Sequence, residues 1–151
     1  MDKKQLTLAK TPSQLRQRST LDCVPTCIAM ALGVPQALVD KHATGLDVEG
    51  GYNRRDTLCV LTRLGVHGTA WHTTGGQTLP AGHYLFGTVY AKQNLALAYH
   101  CVLLVVRAPF GNAAIYDPRY GLAAPVSSSL ELPPAIELLK LDDFADLGDW
   151  S

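Results

Sequence analysis

The hydrophobic pattern divides the chain into a helical first half and a strand-rich second half. Residues 1–14 are polar and follow no period, which predicts an N-terminal arm preceding a domain over 15–151. Ser19, Thr20 and Asp22 offer capping side chains ahead of the apolar stretch Cys23–Leu32, and Gly33 stops it. This predicts a short, buried helix, with Pro25 in the first turn, where a missing amide costs nothing. A second short helix is predicted over Pro35–Ala43. A third follows Asn53 to about Leu64, where Leu58, Leu61 and Leu64 recur at helical spacing before Gly65. Beyond Gly65 the period shortens. Strands are predicted over Val66–Thr73, Tyr84–Tyr90, Tyr99–Arg107 and Ala113–Tyr116, with a turn-rich segment over Thr74–Gly82 and a turn with an edge strand over 119–129. Pro133–Trp150 is acidic and partly periodic, which predicts a short C-terminal helix. Helices first and strands afterwards give an α+β single domain, with N-terminal helices followed by an antiparallel β-sheet.

Composition changes this picture little. The 151 residues are 47% hydrophobic and 17% charged, enough for one globular core. Lys+Arg and Asp+Glu both number 13, so the formal net charge is zero and no nucleic-acid partner is expected. Tyr99–Ala108 is the longest apolar candidate. It carries His100 and Arg107 and is too short to span a bilayer, so no membrane association is expected. No apolar core of signal-peptide length follows Met1-Asp2-Lys3-Lys4-Gln5. The expectation is a protein that is cytoplasmic as synthesised, with export by a route that needs no cleaved signal as the alternative.

Four cysteines are present: Cys23, Cys27, Cys59 and Cys101. A thiol becomes a nucleophile where its thiolate is favoured, and a helix N-terminus favours negative charge. Cys23 holds that position. Cys27, one turn later on the same face, is expected in the core with Cys59 and Cys101. His100 opens the most apolar strand and is the candidate base. Asp117 ends the next strand and would orient that histidine if a hairpin around 109–112 joins the two. Gln17, six residues before Cys23, is the candidate oxyanion donor together with the Cys23 amide.

Gln17, Leu21-Asp22-Cys23 and the run Cys27–Leu32 resemble the opening of the C39-like peptidase family, papain-like cysteine peptidases related to bacteriocin-processing protease domains. His100–Leu104 and Ile115-Tyr116-Asp117-Pro118-Arg119-Tyr120-Gly121 resemble that family's histidine strand and its Asp-Pro-x-x-Gly turn. The resemblance spans about 17–121 and implies a papain-like fold, with Cys23 as nucleophile, His100 as base, Asp117 as orienter and Gln17 as oxyanion donor. It implies attack of the thiolate on an amide carbonyl, a thioester intermediate, hydrolysis by water and no cofactor. A peptide or protein is the implied substrate. The chain departs from the family pattern at Val24-Pro25, where a small glycine is usual.

Alternatives remain within and outside that reading. A deamidase or acyltransferase, including a toxin or effector delivered to another cell, would use the same residues. A papain-like binding module would have kept the cleft without turnover. A metal site built from Cys23, Cys27, His100 and Cys101 has poor zinc geometry. Neighbours on a strand point to opposite faces, so His100 and Cys101 should not converge. Asp142-Asp143-Phe144-Ala145-Asp146 reads as a solvated helix face, with a partner-binding tail as its alternative.

Overall fold

The computed structural model describes residues 7–9, 12, 14–16, 18, 22–48, 51–70, 80–91, 97–107, 113–119, 122–126 and 137–143. Within these, the side chains at 70, 86–91, 97–100, 122–126, 137 and 138 stand outside the description. Three helices come first: α1 (Cys23–Leu32), α2 (Gln36–Lys41) and α3 (Arg54–Arg63). Six strands follow: β1 (Val66–Ala70), β2 (Gly82–Ala91), β3 (Leu97–Val106), β4 (Ala113–Asp117), β5 (Leu122–Val126) and β6 (Glu137–Asp143). They form one antiparallel sheet in the order β1-β6-β2-β3-β4-β5.

Every residue of α1 is buried, from Cys23 to Leu32. An all-apolar helix has no face for water, so it must be wrapped, and here it packs chiefly on β3 with α2 alongside. Gly33 ends it at φ 65°, a left-handed conformation that lets its N–H reach the Met30 carbonyl. α3 buries only Thr57, Val60 and Leu61 and lies against β1. Gly68 permits that approach, because a Cβ there would come within 3.0 Å of a Leu58 methyl.

Strand alternation divides the sheet into two faces. Cys101, Leu103 and Val105 of β3 join the core beneath α1 with Leu85, Tyr116, Leu139 and Leu141. Val102, Leu104 and Val106 alternate with them and are also buried. Over Cys101–Val106 both faces of β3 are therefore apolar.

The predicted C-terminal helix is corrected. Residues 137–143 form β6, inserted between β1 and β2, one strand in from the edge of the sheet. Leu139 and Leu141 alternate into the core, a period of two that the acidic residues obscure. Asp142 and Asp143 accordingly do not form a solvated helix face. Asp142 pairs with Lys140 at 2.6 Å, and Asp143 accepts the Leu8 N–H at 2.8 Å. Residues 144–146, the rest of that acidic run, lie outside the described residues.

The polar N-terminal segment lies against the domain at residues 7–9. Ala9 donates its N–H to the Ala31 carbonyl at 2.7 Å, and its own carbonyl lies 2.7 Å from His83 Nε2. No helix among the described residues is long and apolar enough to cross a membrane.

Candidate active site

α1 begins at Cys23, as the sequence predicts, but its cap differs from expectation. Asp22 is the N-cap residue and makes no side-chain cap bond. Its carboxylate turns back instead to accept the Arg18 N–H at 3.1 Å and the Gln36 side-chain amide at 2.9 Å. The buried Thr26 hydroxyl sits 2.7 Å from the Asp22 carbonyl and 2.8 Å from Gln36 Oε1, closing a small polar network beneath the chain that leads into α1. Ser19 and Thr20 lie outside the described residues.

The withdrawn cap leaves the first-turn amides to the thiol. The backbone of Cys101, and then of Val24 and Cys23 itself, lowers the thiol pKa, as does the start of a helix in general. Burial opposes this and prevails. With Cys23 5% exposed, desolvation, reinforced by the nearby Cys101 thiol, pushes the Cys23 thiol up to about 11. Burial thus works against the stabilised thiolate that the helix start leads one to expect.

Cys27 is fully buried, as expected, and its thiol donates to the Cys101 carbonyl at 3.4 Å. Burial and the thiols of Cys101 and Cys23 raise its pKa as well. Cys101, which the sequence assigns to the core, is buried and faces α1, so three of the four thiols gather where the start of α1 meets β3. Cys59 lies apart on α3 and is half-buried. Among the described residues no group of three or more His, Cys, Asp or Glu is placed to hold a metal ion.

His100 lies in β3 opposite Thr88 of β2. Cys101, the next residue, joins the core beneath α1 with Leu103 and Val105, and the His100 side chain is among those outside the description. Asp117 ends β4, which pairs with β3 through Leu103↔Tyr116, and so lies one strand from His100. Its Oδ1 accepts the Arg119 N–H at 2.9 Å, the Asx turn expected of Asp before Pro. The structure therefore brings the elements bearing Cys23, His100 and Asp117 together: α1 sits on β3, and β4 lies beside it. Gln17 lies outside the described residues.

Sequence reasoning missed two neighbours of this site. Cys101 lies beside the Cys23 sulfur, and the unbroken apolar run Cys101–Val106 gave no alternation to mark it. Gln14 donates through Nε2 to the Asp117 carbonyl at 3.3 Å and to the Leu15 carbonyl at 2.7 Å. Its Oε1 is buried without a hydrogen-bond partner among the described residues, and no sequence signal marked it.

No family model matches the chain, and no curated protein is similar to it in sequence. A solved structure is similar in fold: a double glycine motif protease from an AMS/PCAT transporter, crystallised in complex with the leader peptide. The superposition has a TM-score of 0.53 at 15% identity and covers 91% of this chain and 96% of that one. The fold of this chain, α+β with one antiparallel sheet behind a buried helix, is thus similar to that of this protease.

Proposed function

We propose that this protein is a cysteine peptidase or amidohydrolase that opens peptide or amide bonds with Cys23 as nucleophile. The observation that carries the reading is the placement of Cys23: it starts the buried helix of a papain-like domain, and the surrounding backbone favours charge on its sulfur. His100 would serve as base, Asp117 would orient it, and Gln17 with the Cys23 amide would hold the oxyanion. Substrate binding would supply the free energy for ionising the thiol. A peptide is the substrate class the reading favours, because the double glycine motif protease of like fold was solved with the leader peptide.

Burial of the Cys23 thiol favours a second reading, in which the domain binds peptides without cleaving them. The deciding experiment incubates the protein with a degenerate peptide pool and follows new termini by mass spectrometry, with Cys23→Ala and His100→Ala run in parallel. The peptidase reading expects cleavage by the unchanged chain and none by either variant. Retention of peptides by all three proteins, with no new termini, would overturn it in favour of the binding module.

A further inference from the structure

α1 and α3 start alike in one respect. In each, a first-turn threonine brings its N–H and its hydroxyl to the carbonyl of the residue before the helix. Thr26 reaches Asp22 at 3.2 and 2.7 Å, and Thr57 reaches Asn53 at 3.0 and 2.8 Å. The threonine alone is therefore a feature of a helix start. α1 has a further partner. Gln36, from α2, donates through Nε2 to the Asp22 carboxylate at 2.9 Å, and its Oε1 lies 2.8 Å from the Thr26 hydroxyl. A carboxylate only accepts, which sets the amide with its nitrogen toward Asp22 and its oxygen toward Thr26. Gln36 thus holds Asp22 twice, directly at the side chain and through Thr26 at the carbonyl. α2 braces the preceding chain as well: Arg18 gives its N–H to the Asp22 carboxylate at 3.1 Å and pairs with Asp40 at 2.6 Å.

The peptide between Asp22 and Cys23 is trans and planar, so its C=O and N–H point in opposite directions. With the Asp22 carbonyl held toward Thr26, the Cys23 N–H points out of the start of α1. Any turn of that carbonyl turns the N–H with it. We propose that Gln36 is a positioning residue that sets the direction of the Cys23 amide, acting through Asp22 and Thr26. Its part in turnover rests on the reading of Cys23 as nucleophile: the amide is then an oxyanion donor, and Gln36 aligns it without touching the substrate.

Gln36 is only partly buried, and Gln36→Met keeps the reach of the side chain while losing both polar atoms, so the variant should fold. Two readouts test the proposal. The full chain labelled with 15N-cysteine gives four backbone amide resonances, and the one missing from Cys23→Ala belongs to Cys23. Gln36→Met should move that resonance and leave the one from Cys59 in place. A Cys23 resonance that stays put would overturn the proposal. On a peptide that the unchanged chain cleaves, Gln36→Met should lower kcat about tenfold, short of the hundredfold or more that a lost oxyanion donor costs, with KM within about twofold. An unaltered kcat with only the urea midpoint lowered would reduce Gln36 to a structural role and equally overturn it. No cleavage by the unchanged chain, together with a displaced Cys23 resonance, would sink the peptidase reading and leave Gln36 as the residue that directs the amide.

Discussion

α1 and α3 are both ten-residue helices entered through an Asx residue, and they use that residue in opposite ways. At α3, Asn53 accepts the Asp56 N–H at 2.8 Å and Asp56 answers through the Asn53 N–H, a complete capping box at the surface. At α1, Asp22 withholds its side chain, and the backbone of the first turn favours charge on the Cys23 sulfur. One arrangement fixes a helix end. The other keeps donors for a reactive atom. The surroundings then decide the electrostatics, for the amides at α1 favour charge on sulfur while burial penalises it, and burial wins.

The comparison breaks most visibly in the interior. Ile28 of α1 is fully buried, so Ile28→Ala should cost about 2–5 kcal/mol in urea unfolding, the range for large-to-small core changes. Leu58 of α3 is only half-buried, and Leu58→Ala should cost visibly less. Equal losses would mean that α1 is less enclosed than described.

The two helix entries are told apart by pairing stability with thiol labelling. Asp22→Ala removes the acceptor for the Arg18 and Gln36 donors and should cost about 1–3 kcal/mol, the scale for hydrogen bonds to a charged group. It should also speed alkylation of Cys23 by loosening the approach to α1. Asn53→Ala should cost about 1 kcal/mol, as a lost cap does, and leave Cys23 labelling unchanged. In the unchanged chain, half-buried Cys59 should label before Cys23, and the Cys23 rate should keep climbing toward pH 11 with no plateau below pH 8.5. A plateau near neutral pH would show that Cys23 is held as a thiolate and that α1 opens more than this arrangement allows.

What the sequence made legible follows from how local each cause is. The Asn53 start and the Gly33 stop depend on residues within one turn, and both stand as read. β6 was misread because Leu138-Leu139-Lys140-Leu141 fits either period, and the deciding factor is pairing with β1 and β2, far away in the chain. The face of β3 was equally illegible. Cys101 to Val106 are all apolar and all buried, so no polar alternation states which side meets α1. The ionisation of Cys23 was beyond reach for the same reason, since the helix start is local and the desolvation is global.

The smallest effect expected lies at the far end of α1, where the arm crosses the sheet. His83 Nε2 donates to the Ala9 carbonyl at 2.7 Å, which holds one proton on the ring. Burial lowers the His83 pKa most, and Arg107 and Lys140 lower it further; the bond to Ala9 and the charge of Asp143 pull the other way without prevailing. The unfolded chain therefore takes up a proton on this histidine at a higher pH than the folded one does. The contribution is fully present above the unfolded value of about 6.5 and is lost as the pH falls through the lower folded value. Urea midpoints measured from pH 7.5 down to pH 5 should decline in the unchanged chain. The decline should be shallower in His83→Gln, which keeps an amide donor for Ala9 and cannot titrate. Parallel declines would place the acid sensitivity elsewhere and leave the arm held by the Ala9–Ala31 and Leu8–Asp143 bonds alone.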